Sequence, residues 1–415
     1  MLTTASIPRH FGSETRMRHK VTLIHPHPAQ AHILKHRARY RVVACGRRFG
    51  KTEVGKIALI EQALRGHKTW WLAPTYSMTA QVWRDLKHTL GHLPALTINN
   101  TEHRLDLPNG GMIAVRSTHY PDLLRGAGLD FVVLDEAAFM EGQVWDEVVR
   151  PMLLERQGGA LFLSTPYGHN WFWSIFQRGQ DPTQTDWASF QFSSLDNPMV
   201  LPSELDAIRH STPERIFQEE YLAQFMADAG AVFRGLEAVV GAPTHAEPLM
   251  GHRYVMGVDW GRERDYTALV VFDATTRQMV MLDRFNEIGW SLQRGRLQVA
   301  VERWRPSTIW AESNSIGSVN IEALQAEGLA VRPFTTTAKS KPPLIEGLAL
   351  AIERRELTLL PDPVLLHELR AYTLERMSEG GFRYSAPSGQ HDDTVIATAL
   401  AWYGAMQPDF SMGFA

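Results

Sequence analysis

Residues 42–55 read VVACGRRFGKTEVG, with Gly50, Lys51 and Thr52 closing a segment that has the spacing of a phosphate-binding loop. Backbone N–H groups at a helix start cradle phosphates, a lysine there neutralises the β/γ oxygens, and the following hydroxyl holds Mg²⁺. Those roles fall to Gly50, Lys51 and Thr52. The opening position holds Cys45 instead of glycine, and Arg47 and Arg48 lie within the loop. A guanidinium facing a γ-phosphate stabilises transition-state charge, which gives the two arginines a rationale. Residues 131–139, FVVLDEAAF, put Asp135 and Glu136 after four apolar residues and 84 positions beyond Lys51. Asp135 is placed on the Mg²⁺ side and Glu136 is able to polarise water. Ser164-Thr165-Pro166 ends another apolar run and suits a segment that senses the γ-phosphate.

A second set of carboxylates follows. Asp259 lies in VMGVDWG, Glu312 in IWAESN, Asp265 in GRERDYT, and Asp392 and Asp393 stand together after His391. Carboxylates converging from separate elements, without cysteines or clustered histidines, favour hard cations such as Mg²⁺ or Mn²⁺. Two such ions clamp the attacking and leaving oxygens of a phosphodiester displacement. His391 adjoins the pair and is placed to support it. Asp392 or Asp393 also suits a helix cap, and Asp259 a turn.

These residues require strands to carry them. Strands are expected at 40–46, 69–74, 112–117, 130–137 and 160–166. Their near-continuous apolar runs between helical stretches imply a parallel sheet buried on both faces. From 254 the pattern changes to three strands in quick succession, 254–261, 267–273 and 278–285. A helix near 290–304, a strand at 308–314 and a helix over 391–406 follow, which suggests a mixed sheet. A chain of 415 residues exceeds one ordinary core. The expected division is an ATPase domain over 1–225, a Gly/Ala/Pro-rich linker over 226–252 and a nuclease domain over 253–415.

Composition narrows the class. Hydrophobic residues make up 44% and charged residues 21%, ordinary for a globular chain, and the net charge of −3 gives no global nucleic-acid footprint. One cysteine excludes an internal disulfide framework. No run of eighteen apolar residues is present, and the N-terminus lacks an apolar signal core, so no membrane association is expected and a reducing cytoplasm fits.

Taken in order, GRRFGKT, APTY, LRGAGLDFVVLDEAA, STPYGHNWF, DNP, GVDWG with Asp265, AESN and HDDT resemble the large subunit of tailed-phage terminases over about residues 25–405. The resemblance implies an α/β fold class, a RecA-like P-loop ATPase domain followed by an RNase H-like nuclease domain. It implies ATP-driven translocation of double-stranded DNA into procapsids and metal-dependent endonucleolytic cutting of concatemers. It assigns Gln30 to adenine, Arg47 as the in-loop arginine, and Asp135 and Glu136 as Mg²⁺-side and catalytic carboxylates. Asp259, Glu312 and Asp393 become the nuclease carboxylates, with Asp392 and Asp265 supporting. ATP with Mg²⁺, and two Mg²⁺ or Mn²⁺ ions at the nuclease site, are the implied cofactors. The implied partners are DNA, a portal protein, a small terminase subunit and further copies in a ring, with a pentamer the expected count. The implied location is the cytoplasm of the infected host, transiently at the portal vertex. Arg84, Arg104, Arg116 and Arg125 are candidates for an arginine acting on a neighbouring subunit. RHKVTLIHPH and TAKSKPP, above all Lys341, are candidates for DNA contact. A helicase-nuclease in repair or defence, and a non-enzymatic assembly factor from a decayed prophage, are the alternatives.

Overall fold

A computed structural model describes residues 2–6, 20–226, 231–244, 246–261, 265–314, 317–376 and 382–408. The chain divides into two compact units. One is built mainly from residues 1–210 and 215–229, the other from 211–214, 230–377 and 381–415.

The first unit opens with β1 (Leu2–Ser6), β2 (Lys20–Ile24), α1 (Pro28–Lys35), β3 (Tyr40–Cys45), α2 (Lys51–Leu64), β4 (Lys68–Ala73) and α3 (Tyr76–Leu90). Next come β5 (Thr97–Asn99), β6 (Arg104–Asp106), β7 (Met112–Ser117), β8 (Phe131–Asp135), the short α4 (Arg150–Met152) and β9 (Gly159–Ser164). It closes with α5 (Trp171–Gln180), β10 (Trp187–Phe192), α6 (Pro202–Ser211) and α7 (Glu214–Glu220).

Eight of these strands form one sheet in the order β10-β3-β9-β8-β4-β7-β6-β5. The first six run parallel, and β6 and β5 add an antiparallel hairpin at one edge. All six residues of β3 are buried, as a central parallel strand covered on both faces requires. Alternation sorts them: Val43 and Cys45 join the core containing α2, while Tyr40, Val42 and Ala44 face the core built around Trp145 and Phe162. Five of these strands fall where the sequence predicts them; β10 and the β5–β6 hairpin are additional.

The second unit contains β11 (Tyr254–Asp259), β12 (Thr267–Asp273), β13 (Gln278–Phe285), α8 (Trp290–Trp304), β14 (Thr308–Glu312), α9 (Gly317–Ala326) and β15 (Val331–Phe334). α10 (Lys341–Glu353), α11 (Pro363–Ala371), β16 (Thr373–Arg376), β17 (Phe382–Ser385) and α12 (Asp393–Met406) complete it. Its sheet has the order β13-β12-β11-β14-β15, with β13, β12 and β11 antiparallel and β14 and β15 parallel to β11. This is the mixed sheet expected from three consecutive strands followed by α/β units.

α12 is buried along nearly all its length, and its sequence DTVIATALAWYGAM is apolar on every side, as a helix enclosed by protein must be. Small residues let it lie close against β11. A Cβ on Gly257 would come within 2.1 Å of the Ala397 carbonyl and 2.4 Å of the Ala401 nitrogen. Gly257 lies two residues before Asp259, and Ala397 one helical turn after Asp393. The close approach of strand and helix therefore brings the carboxylates into one locality.

The linker expected over 226–252 differs from the structure. Val232, Phe233, Leu236, Val239 and Ala242 are buried in the core that also holds α10, α11 and α12. Val239 O accepts from Leu359 N at 2.7 Å, and Gly241 N donates back to Leu359 O at 3.0 Å. Glycine, alanine and proline suggested a spacer, but apolar residues at 232, 233, 236 and 239 carry the segment into the second unit.

Candidate active sites

The ends of β3, β8 and β9 meet at one edge of the first sheet, where Ala44 pairs with Ser164 and Asp135 with Leu163. This brings the GKT loop, the Asp135-Glu136 pair and Ser164 together. Gly50 adopts φ +93°, a left-handed conformation that glycine accepts without strain, and leads into α2. A Cβ on Gly46 would lie 2.3 Å from the Tyr221 carbonyl, so this glycine admits the chain that packs against the loop. Cys45 is fully buried as the last residue of β3, so a side chain packed into the core stands where the motif ordinarily opens with glycine. Burial pushes its thiol up to about 12.

Lys51 Nζ lies 3.3 Å from Glu136 Oε1. Burial opposes its charge, but Glu136 and Asp135 hold the ammonium above its ordinary range. Asp135 is buried and pushed up to about 7 by burial and then by Glu136, with Lys51 acting in the other direction. Asp135 Oδ1 and Glu136 Oε2 are buried without a hydrogen-bond partner among the described residues. Glu136 also takes φ +54°, uncommon for a non-glycine residue and frequent where function holds a strained backbone. Ser164 Oγ accepts from Ala138 N at 3.2 Å, and Asn170 Nδ2 donates to Ala138 O at 2.7 Å. The STP segment is therefore bonded directly to the turn that carries Glu136.

Several expected residues have other partners in this structure. Gln30 Nε2 donates to Gly50 O at 3.1 Å and its Oε1 accepts from His27 N, so the side chain braces the loop. Arg47 pairs through Nε with the buried carboxylate of Glu220, and its carbonyl accepts from Ser194 Oγ at 2.6 Å. Arg48 is exposed with φ +61°, and its carbonyl accepts from Asn197 Nδ2. Thr52 stays half-buried in the first turn of α2. Arg84 donates to Gln81 at 2.6 Å, Arg104 pairs with Asp106, Arg116 bonds backbone carbonyls, and Arg125 pairs with Asp122. Nothing in the sequence marks Glu220: it lies 173 residues from Arg47, and only the fold joins them.

The second site gathers Asp259 at the end of β11, Glu312 at the end of the neighbouring parallel β14, and Asp393 in the first turn of α12. Burial, a hydrogen bond with Glu312 and the nearby charges of Asp393 and Asp392 hold the Asp259 carboxyl well above the usual range. Asp393 is pushed up to about 8 by burial, Asp265 and Glu368, against the lowering effect of Arg284. One ligand atom from each of Asp265, His391 and Asp393 falls within 4.8 Å of the others. His391 Nδ1 is 3.1 Å from Asp265 and 3.8 Å from Asp393. Asp392 occupies the cap position of α12 but makes no side-chain capping bond, so the capping alternative does not hold for it. Lys341 Nζ lies 3.1 Å from Asp392 Oδ2 and above the ring of buried Tyr372. Asn314 Nδ2 donates to Glu312 Oε1 at 3.1 Å. Burial and neighbouring carboxylates raise the proton affinity of Asp259 and Asp393, and a divalent cation, which competes with such protons, suits the same place. Arg284 and Glu368 also belong to this site; nothing in LDRFN or HELRAY marked them beforehand.

Comparison with known proteins agrees with both halves. Residues 43–239 match the family model for the terminase large subunit, T4likevirus-type, N-terminal. Residues 256–403 match that for the terminase RNaseH-like domain. The terminase large subunit of Thermus virus P23-45 is 31% identical over 424 residues, covering 91% of this chain and 87% of that protein. That of Escherichia phage T5 is 25% identical, covering 86% and 84%. The solved structure of a large terminase from a thermophilic bacteriophage shares the fold, at a TM-score of 0.53 and 14% identity, over 91% of this chain and 98% of that one. The α/β units are thus a RecA-like ATPase and an RNase H-like nuclease, and the chain belongs to the family of phage terminase large subunits.

Proposed function

We propose that this chain drives double-stranded DNA into a phage procapsid by hydrolysing ATP, and cuts concatemeric DNA with a metal-dependent endonuclease. One observation carries the reading: two carboxylate sites stand at the C-terminal ends of strands in two different sheets of a single chain. It is supported by membership of the terminase family along most of the length.

At the first site Lys51 and the N–H groups at the start of α2 bind the triphosphate, Thr52 and Asp135 hold Mg²⁺, and Gln30 fixes the loop beside the base. Glu136 takes the proton of the attacking water. To reach that water it moves off Lys51, so phosphate binding to Lys51 and release of Glu136 are one event. Arg47 stabilises charge on the γ-phosphate once released from Glu220, with Arg48 beside it. Ser164 transmits the change to the turn holding Glu136 through Ala138.

At the second site Asp259, Glu312 and Asp393 would hold the ions, with Asp265 and Asp392 completing the set and His391 orienting Asp265. When bound, the ions would supply charge neutralisation and make the attacking water easier to deprotonate. Lys341 offers its ammonium to a DNA phosphate. The ATPase domain ends near residue 226 and the nuclease domain starts near residue 231. A portal, a small terminase subunit and further copies of the chain in a ring, five by expectation, are the partners, and the host cytoplasm and procapsid vertex the place of action.

A helicase-nuclease is the second reading. The antiparallel β13-β12-β11 arrangement of the second unit is unlike a second RecA-type motor domain, which weighs against it. The test is packaging of linear DNA into portal-bearing procapsids, scored by nuclease protection. Wild type should protect DNA only with ATP, and Lys51→Ala should protect none. Unwinding of duplex DNA without packaging would favour the helicase reading.

A further inference from the structure

α12 starts at Asp393, and its first N–H groups need acceptors. An aspartate in the cap position ordinarily supplies one, yet Asp392 makes no such bond. The acceptor comes from elsewhere: Glu368, on α11 and only 5% exposed, accepts from Thr394 N at 3.0 Å and from the Thr394 hydroxyl. A buried glutamate thus does the capping, and Asp392 pairs with Lys341 and Asp393 with Arg284 instead.

The same glutamate carries a charge that needs an opposite one. Arg284, on β13, provides it, with Nη2 3.2 Å from Glu368 Oε1 and 3.4 Å from Asp393 Oδ2. Its guanidinium carbon lies 3.3 Å from the centre of the Tyr266 ring, which fixes the plane of the group. Arg284 on its own would satisfy Asp393 as a full ion pair and oppose the binding of a cation there. Shared with Glu368, it orients Asp393 while its charge is already balanced.

We propose that Glu368 and Arg284 are positioning residues of the nuclease: a charge-balanced clamp that caps α12 in place of Asp392 and holds Asp393 ready for a divalent ion. The inference rests on the metal-nuclease reading of this site. It explains why a glutamate only 5% exposed sits against the start of α12 and Arg284.

The experiment measures Mn²⁺ binding to the full-length protein by calorimetry, beside the Mn²⁺ dependence of plasmid cleavage. Glu368→Gln keeps the shape and an oxygen for Thr394 but removes the charge. Binding should weaken by roughly 10- to 100-fold, the cost typical of losing an outer partner of a metal ligand. The metal concentration for half-maximal cleavage should rise in parallel, and cleavage at saturating metal should largely return. Adding Arg284→Gln to that variant should restore part of the affinity, because the unbalanced charge leaves with it. Unchanged Mn²⁺ affinity in Glu368→Gln, whatever its melting temperature, overturns the clamp. So does a double variant that binds more weakly than the single one. If Glu368→Gln does not fold, Thr394→Val replaces it. That variant should bind Mn²⁺ roughly 10-fold more weakly, the lower end of the same outer-partner range, and unchanged affinity overturns the proposal. Asp259→Ala separates the two levels. Wild type that binds no Mn²⁺, with no change in Asp259→Ala, removes the nuclease reading and the clamp together.

Discussion

Cys45 stands where a phosphate loop ordinarily opens with glycine, and its side chain lies wholly within the core beneath α2. A thiol pushed up to about 12 is almost never a thiolate at neutral pH. Folded protein should therefore resist iodoacetamide at pH 8 and react once in denaturant, followed by mass. Rapid labelling of the native chain would contradict the placement of the loop. The nuclease carboxylates give a second prediction. Folded Asp393 titrates near 8, against 3.8 for the free side chain. The folded, metal-free form thus holds its proton more tightly than the unfolded chain does. The stability tied to this proton is full below about pH 4 and is lost as pH rises through about 8. A divalent ion competes with the same proton, so the gain in melting temperature on adding Mg²⁺ should be small at pH 5.5 and large at pH 8.5. A gain independent of pH would mean that the ion does not displace the Asp393 proton. Asp135, Asp259 and Glu312 were legible because a carboxylate at the end of an apolar strand has few ordinary reasons to be there. Glu220, Glu368 and Arg284 were not, since each depends on a partner distant in sequence.

At the scale of elements, the meeting of β11 with α12 makes the second site. Gly257→Ala would force a methyl into the Ala397 carbonyl. Overpacking of this sort costs about 1–3 kcal/mol and displaces whichever element yields. Because α12 carries Asp393, cleavage should fall by at least roughly 100-fold, the scale of a catalytic group misplaced by about 1 Å. ATP turnover should remain. Retention of full cleavage would show that strand and helix are less closely apposed. Strands with unbroken apolar runs, such as FVVLD and YVMGVD, were readable from sequence because both faces are covered. β10, reading WASFQF, mixes polar and aromatic residues at the sheet edge, and the three-residue strands β5 and β6 are too short to show a period. Both need the neighbouring strand to be recognised.

For the whole molecule, the boundary between the units matters most. Val232, Phe233, Leu236 and Val239 each bury a side chain worth roughly 1.5–3 kcal/mol. Their sum is comparable to the whole stability of a typical domain, about 5–15 kcal/mol. A fragment of residues 226–415 should melt cooperatively, and one of residues 253–415 should be unfolded or far less stable, as judged by calorimetry. Equal stability would return these residues to the role of a spacer. Glycine, alanine and proline recurring along the segment suggest a spacer; its apolar positions 232, 236 and 239 keep a helical spacing, but Gly235 and Gly241 interrupt it.

The central claim is that two separate active sites share one chain. The most direct measurement follows phosphate release and plasmid nicking in the same tube, with Mg²⁺ or Mn²⁺ and ATP, for wild type, Glu136→Ala and Asp259→Ala. Glu136→Ala should lose ATP turnover by roughly 10²- to 10⁴-fold, as expected for a general base, and keep cutting. Asp259→Ala should lose cutting and keep turnover. If wild type cuts DNA with neither metal, or if either substitution abolishes both activities in a folded protein, the two-site account is wrong.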